Sequence, residues 1–178
     1  MHLLIAALWF WTGLRPASIG AQDQRIHFPE QLADSLPVSP LAPILDRYFQ
    51  LENALFRADP TEAAKQAAAL LEAIRQADFK TLPASQQKLF VSLSQKLEYD
   101  ARHISEVSSL PHQREHFASL SANVISLARQ VPLSTAPIYR DYCPMKKAYW
   151  LSAQTTINNP YLAPDMSDCG KIVQTISP

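Results

Sequence analysis

Proline breaks this chain at regular intervals and never interrupts a helical pattern. Pro43, Pro60, Pro83, Pro111 and Pro132 each stand at or near an end of a stretch with helical periodicity. Proline fits the first turn of a helix and costs about 3 kcal/mol in its interior, so these positions bound four segments. The first carries Leu41, Ile44, Leu45, Tyr48, Leu51 and Leu55 on one face, the spacing of an amphipathic helix. The second opens with Asp59-Pro60-Thr61-Glu62, an N-cap aspartate followed by proline at N1 and an acid three residues after the cap. Its stripe is Ala63, Ala67, Leu70, Leu71 and Ile74, small enough at one end for a neighbouring helix to approach closely. The third runs through Leu89, Phe90, Leu93, Leu97, Ile104 and Val107. The fourth follows Ser108-Ser109-Leu110-Pro111 and places Phe117, Leu120, Val124, Leu127 and Val131 alternately three and four apart, a bundle seam. Short connections between four such segments predict a mainly α fold, an antiparallel up-down four-helix bundle.

Beyond Pro132 the pattern changes. Ile138-Tyr139-Arg140-Asp141-Tyr142 and Ala148-Tyr149-Trp150-Leu151 are aromatic and β-prone, with a polar turn around Lys146-Lys147 between them. They predict a small aromatic hairpin, or two extended arms, lying on the end of the bundle. An irregular Asn/Pro loop and a short final strand or tail follow. Residues 39–178 are thus expected to form one helical-bundle domain, with 133–178 as its C-terminal appendage. Residues 22–38, with Pro29 and Pro37 and no sustained period, read as an extended or mobile leader. Residues 1–21 read as an export signal: residues 3–11 are an apolar block, too short for the roughly 20 residues a membrane span needs, and small residues follow. The n-region is weak, which leaves an uncleaved anchor as the alternative. No other apolar run of membrane length occurs, so the expected location is the periplasm or another exported compartment.

Charge narrows the function. The 16 basic residues match the 16 acidic ones, and no basic run offers a grip on nucleic acid. One glycine after residue 20 cannot build a phosphate-cradling loop. Ser119 and Ser121 lie near His116, but no carboxylate is placed to complete a triad and a bundle face offers no oxyanion hole. The chain does not read as an enzyme.

Sulfur is where the sequence is most specific. Cys143 and Cys169 are the only cysteines, and Met145 and Met166 the only methionines besides Met1. Thiolate and thioether donors together suit a soft cation such as Cu(I), with zinc as a variant. In an extended segment Cys143 and Met145 would share a face, and a turn between Met166 and Cys169 would bring that pair together. Gly170 beside Cys169 allows a tight turn with positive φ. The competing reading is a Cys143–Cys169 disulfide stapling an interaction module, which an exported protein permits. Methionine is also a plain core filler, yet the four helices contain none.

Two histidines add to the sulfur. His103 on the third helix and His116 on the fourth are equidistant from the turn at Ser109-Leu110, so an antiparallel pair of helices sets them at one level. They could complete or buttress a metal site; two Cys and two His would make a closed tetrahedral zinc set. They could equally be boundary histidines bonded to Asp100, Glu106 or Glu115. His112, one turn before His116, could join an i, i+4 site, although its place in the first turn suggests solvation.

Several segments together resemble a known family. They are Asp100 to Ser105, Gln113 to Ser121, Tyr142-Cys143-Pro144-Met145, Tyr149-Trp150-Leu151-Ser152, Ile157-Asn158-Asn159-Pro160-Tyr161 and Met166-Ser167-Asp168-Cys169-Gly170. The resemblance is to a bacterial domain of unknown function that occurs alone in exported proteins and attached to heavy-metal efflux adaptor proteins of the copper/silver type. It covers about residues 41–175. It implies a helical periplasmic module that binds a metal, copper foremost, through Cys143, Met145, Met166 and Cys169, with His103 and His116 in the recurring histidine segments. An efflux adaptor or another periplasmic protein is the implied partner. Leu162-Ala163-Pro164 departs from the glycine that family members carry after Asn-Pro-Tyr, which implies a stiffer loop before Met166.

Overall fold

The four proline-bounded segments are helices in the computed structural model, which describes residues 39–178. They are α1 (Ala42–Phe56), α2 (Pro60–Arg75), α3 (Ala84–Glu106) and α4 (Leu110–Ala128). The expected signal (1–21) and leader (22–38) lie outside the described residues. Asp59 caps α2 as its sequence predicts, its Oδ1 accepting the Glu62 N–H at 2.9 Å. Proline occupies the first turn of α1, α2 and α4, and Pro83 is the N-cap of α3. A 3₁₀ turn, Phe79–Thr81, leads into α3. Among the described residues, no helix is long and apolar enough to cross a membrane.

Each helix packs chiefly on the next in sequence, as an up-down bundle requires. The predicted stripes are the buried ones: Leu41, Ile44, Tyr48, Leu51 and Leu55 on α1 and its N-cap, Ala63, Ala67 and Leu70 on α2, and Phe117, Leu120, Val124 and Leu127 on α4 are fully enclosed. Leu71 and Leu89 only flank the core. Buried Gln113 at the start of α4 ties three elements together. Its Nε2 donates to the Pro60 carbonyl at 2.9 Å and to the Val107 carbonyl at 2.8 Å, the latter at the C-terminal end of α3, where helix geometry leaves carbonyls without partners.

The appendage is a three-stranded antiparallel sheet of β1 (Ile138–Cys143), β2 (Ala148–Ser152) and β3 (Lys171–Ile176), in the order β2-β1-β3. The expected hairpin is β1–β2. The expected final strand or tail is a full partner on the other side of β1, with a register shift between Arg140 and Asp141. β2 rests on α4. Contact between α1 and α4 is slight, and residues of the appendage supply the missing packing. Trp150, Leu151 and Tyr161 belong to the same continuous core as the helices. Tyr161 approaches Phe117 at 5.8 Å between ring centres and Trp150 at 5.9 Å. Half-buried Arg140 on β1 lies 3.9 Å over the ring of Tyr149 on β2.

Candidate functional site

The sulfur residues gather at one end of the sheet. Tyr142 pairs with Lys171, so the chain that follows Tyr142 and the chain that precedes Lys171 run side by side. Cys143 and the Cys169-Gly170 segment therefore sit at the same end of the β1–β3 ladder. Both cysteines are free thiols, Cys143 fully buried and Cys169 half-buried. The Lys146 N–H points at the Cys143 Sγ at 3.4 Å. In the loop before β3 the Cys169 N–H donates to the Met166 carbonyl at 3.2 Å, the turn expected for this pair.

One expectation is corrected. Cys143 and Met145 do not share the face of a strand, because β1 ends at Cys143 and the chain turns immediately. Met145 lies in that turn and is 59% exposed, whereas Cys143 is 0%. Met166 is 41% exposed. Neither thioether packs in the core.

Gly170 shows why the appendage needs a glycine here. A Cβ at this position would stand 2.9 Å from the Trp150 ring and 3.2 Å from the Tyr142 carbonyl oxygen. Its φ of +159° lies at the edge of the extended region, so the demand comes from space more than from turn geometry. Asn159 locks the preceding loop. Its N–H donates to the Ser167 carbonyl at 2.7 Å, and its side-chain amide donates to the Cys169 carbonyl. The Tyr161 hydroxyl then donates to the Tyr149 carbonyl at 2.6 Å. A cleft of about 390 Å³, lined in part by Arg114, Glu115, Ala118, Lys146 and Tyr161, opens between α4 and the Met145 turn.

The histidines stand elsewhere. His103 and His116 do meet at one level, with ring centres 4.8 Å apart and planes 24° from parallel. His116 Nδ1 donates to Asp100 Oδ1 at 3.0 Å, and His103 Nδ1 donates to the Tyr99 carbonyl at 2.9 Å. His116 lies two positions after Arg114, about 200° further round the helix. Arg114 donates to the Leu162 carbonyl and so marks the side of α4 that faces the appendage. The sulfur residues and the histidines therefore lie on different faces of α4. Among the described residues, no three side chains drawn from His, Cys, Asp and Glu are gathered in a metal-binding arrangement.

The structure adds two features that the sequence reading passed over. Glu52 and Asp141 are buried, and Glu52 Oε1, both Asp141 carboxylate oxygens and the Trp150 indole N–H have no hydrogen-bond partner among the described residues. Asp141 and Trp150 face each other across the β1–β2 ladder. Burial, with the neighbouring Asp141, pushes the Glu52 carboxyl up to about 8, and burial raises Asp141 to about 6. Glu52 lies four residues after Tyr48 and three before Leu55, on the apolar stripe of α1, and that spacing was the available signal. Tyr99 is the second; its ring lies 4.1 Å from His103, and its place one turn earlier on α3 was the available signal.

Residues 44–135 match the model of a family described as protein of unknown function (DUF3347). The chain belongs to this family. No curated protein and no solved structure matches it. The matched residues of this DUF3347 member span the bundle and include His103, His112 and His116; they end before Cys143. The sulfur-bearing sheet of the DUF3347 chain is thus an extension of the matched region, built onto its α1–α4 groove.

Proposed function

We propose that this chain is an exported, non-enzymatic metal-handling protein that takes a soft ion, Cu(I) foremost, at Cys143 and Cys169, with Met166 and Met145 as thioether donors. One observation carries this reading. Both methionines are exposed, Met145 at 59% and Met166 at 41%, beside two free thiols, so core packing does not account for them. Exposed thioethers on turns are free to close over an ion held by the two sulfurs below, and soft donors of this kind select Cu(I). The bundle supplies a rigid base through Trp150 and Tyr161. Efflux or resistance to a heavy metal is the corresponding role, with an efflux adaptor or another exported protein as partner.

A single zinc centre of two Cys and two His fits less well, because His103 and His116 lie on the other face of α4. The adjacency of Cys143 and Cys169 favours one competing state, a disulfide that staples the sheet edge without metal. Titration of the reduced protein with Cu(I) against a chromophoric competitor separates the two. The expected result is one tightly held Cu(I) per chain, lost in Cys143→Ser/Cys169→Ser with helicity unchanged, and weakened by Met145→Leu/Met166→Leu. Full binding by the double-serine chain would sink the proposal, as would native protein that has no titratable thiol and takes up no copper.

A further inference from the structure

The cleft of about 390 Å³ between α4 and the Met145 turn joins a fixed cation to an apolar wall. Pro111, Arg114 and Ala118 line it from the helix, Lys146 and Ala148 from the β1–β2 hairpin, and Tyr161 from the loop beyond. Its volume falls in the range of roughly 300–1,000 Å³ that small-ligand pockets occupy, and like them it pairs mostly apolar walls with a few polar groups. The two polar groups here are both positive, one on each side of the opening.

Arg114 is held in place by neutral groups alone. Its Nη2 donates to the Leu55 carbonyl at 3.1 Å, at the C-terminal end of α1, and to the Leu162 carbonyl. Among the described residues, Nε is enclosed without a partner and no hydrogen bond engages Nη1. The carbonyls orient the guanidinium but bring no opposite charge, and a cation drawn out of water without one is costly. Burial accordingly pulls the Arg114 pKa below its ordinary value. Lys146 is exposed, and no carboxylate pairs with either cation among the described residues. Glu115, the acid at the rim, is 80% exposed and holds its Oε2 3.8 Å from His112 Nδ1 instead. The first turn of α4, which contains Pro111, has no acid and no side-chain cap, so the positive end of the helix adds to the field.

We propose that this cleft binds a small organic carboxylate with an apolar body, anchored between Arg114 and Lys146. The carboxylate accepts from Arg114 Nη1 in a charge-assisted hydrogen bond and supplies the negative charge that the buried guanidinium lacks. Lys146 is a point charge on a flexible stem and closes on the anion from the other side. The apolar body lies against Pro111, Ala118 and Ala148 and gains by leaving water. A compact, strongly hydrated anion such as phosphate meets the two charges but leaves those walls uncovered, so a carboxylate with a hydrocarbon part is the better fit. The site uses neither the sulfur residues nor the histidines, and it does not depend on the metal-handling reading.

The test is a ¹H–¹⁵N nuclear magnetic resonance titration of the full reduced chain with benzoate, benzamide and inorganic phosphate. Benzoate should shift the amide signals of Ala118, Lys146 and Ala148 to saturation, and added salt should weaken it. Benzamide, the same shape without the charge, should bind about 3-fold or more weakly. Arg114 also ties α1 to the loop, so the variants are placed elsewhere in the cleft. Lys146→Gln should weaken benzoate by about 3-fold or more. Ala118→Leu, whose larger side chain enters the cleft, should abolish binding, and both variants should keep the parent far-ultraviolet circular dichroism. Equal binding of benzoate and benzamide overturns the charged anchor, and phosphate bound as tightly as benzoate overturns the apolar part. Benzoate shifts that survive Ala118→Leu unchanged overturn the site itself.

Discussion

The hydroxyl of Tyr48 on α1 lies 2.8 Å from the hydroxyl of Ser121 on α4, deep in the core. The same Tyr48 oxygen accepts the N–H of Leu151 on β2 at 3.0 Å. One buried hydroxyl therefore joins two helices that touch only slightly and the sheet that fills the space between them. Tyr48→Phe should cost about 1–3 kcal/mol, because it strands the Leu151 N–H and the Ser121 hydroxyl away from water. Urea unfolding of the variant reads this directly, and a midpoint equal to that of the parent would contradict it.

Stability should fall as pH rises through neutrality. The Glu52 carboxyl is raised from 4.5 to about 8 in the fold, so between those values the folded state holds a proton that the unfolded state releases. Its contribution is complete below pH 4.5 and is lost as pH approaches 8. Asp141, raised from 3.8 to about 6, acts in the same direction over a lower window. Glu52→Gln should therefore be more stable than the parent at pH 8, by an amount on the order of a few kcal/mol or less, and close to it at pH 4. Denaturant titrations of both chains at the two pH values decide it; parallel pH profiles would refute the assignment.

Gly170→Ala should destabilise the appendage by about 1–3 kcal/mol. The added methyl meets the enclosed Trp150 ring and a backbone carbonyl, and neither can swing aside. Tryptophan fluorescence should report the change selectively, because Trp150 is the only tryptophan after residue 11. An unaltered emission spectrum and unaltered stability would show that the sheet edge is looser than its packing indicates.

The two thiols should react at different rates. Cys169 is half-buried, whereas Cys143, at the end of β1, is fully buried. A disulfide reagent added to the reduced native protein should titrate one thiol quickly and the second only at the rate of local opening. Denaturant should merge the two phases. Two equally fast thiols under native conditions would place Cys143 at the surface.

The sequence by itself determined the bundle. Prolines set the helix ends because a ring without an N–H is tolerated only in the first turn, and the three-and-four spacing of Leu, Ile and Phe fixed which faces are buried. The Asp59 cap followed from local chemistry alone, and so did the equal height of His103 and His116, which depends only on counting residues from a short turn. Only tertiary structure decided the rest. Nothing local joins β3 to β1, so the expected final strand or tail is made a strand by pairing with β1 across nearly thirty intervening residues. Cys143 lost its alignment with Met145 because the strand ends at the cysteine itself. Glu52 stands on the apolar stripe of α1 and Asp141 in a β-prone run, and the sheet that settles onto the groove between α1 and α4 shuts both away from water. That same docking assigns the sulfur residues to one face of α4 and leaves His112 and His116 on another, since a helix turns about 100° per residue and two positions suffice to point away.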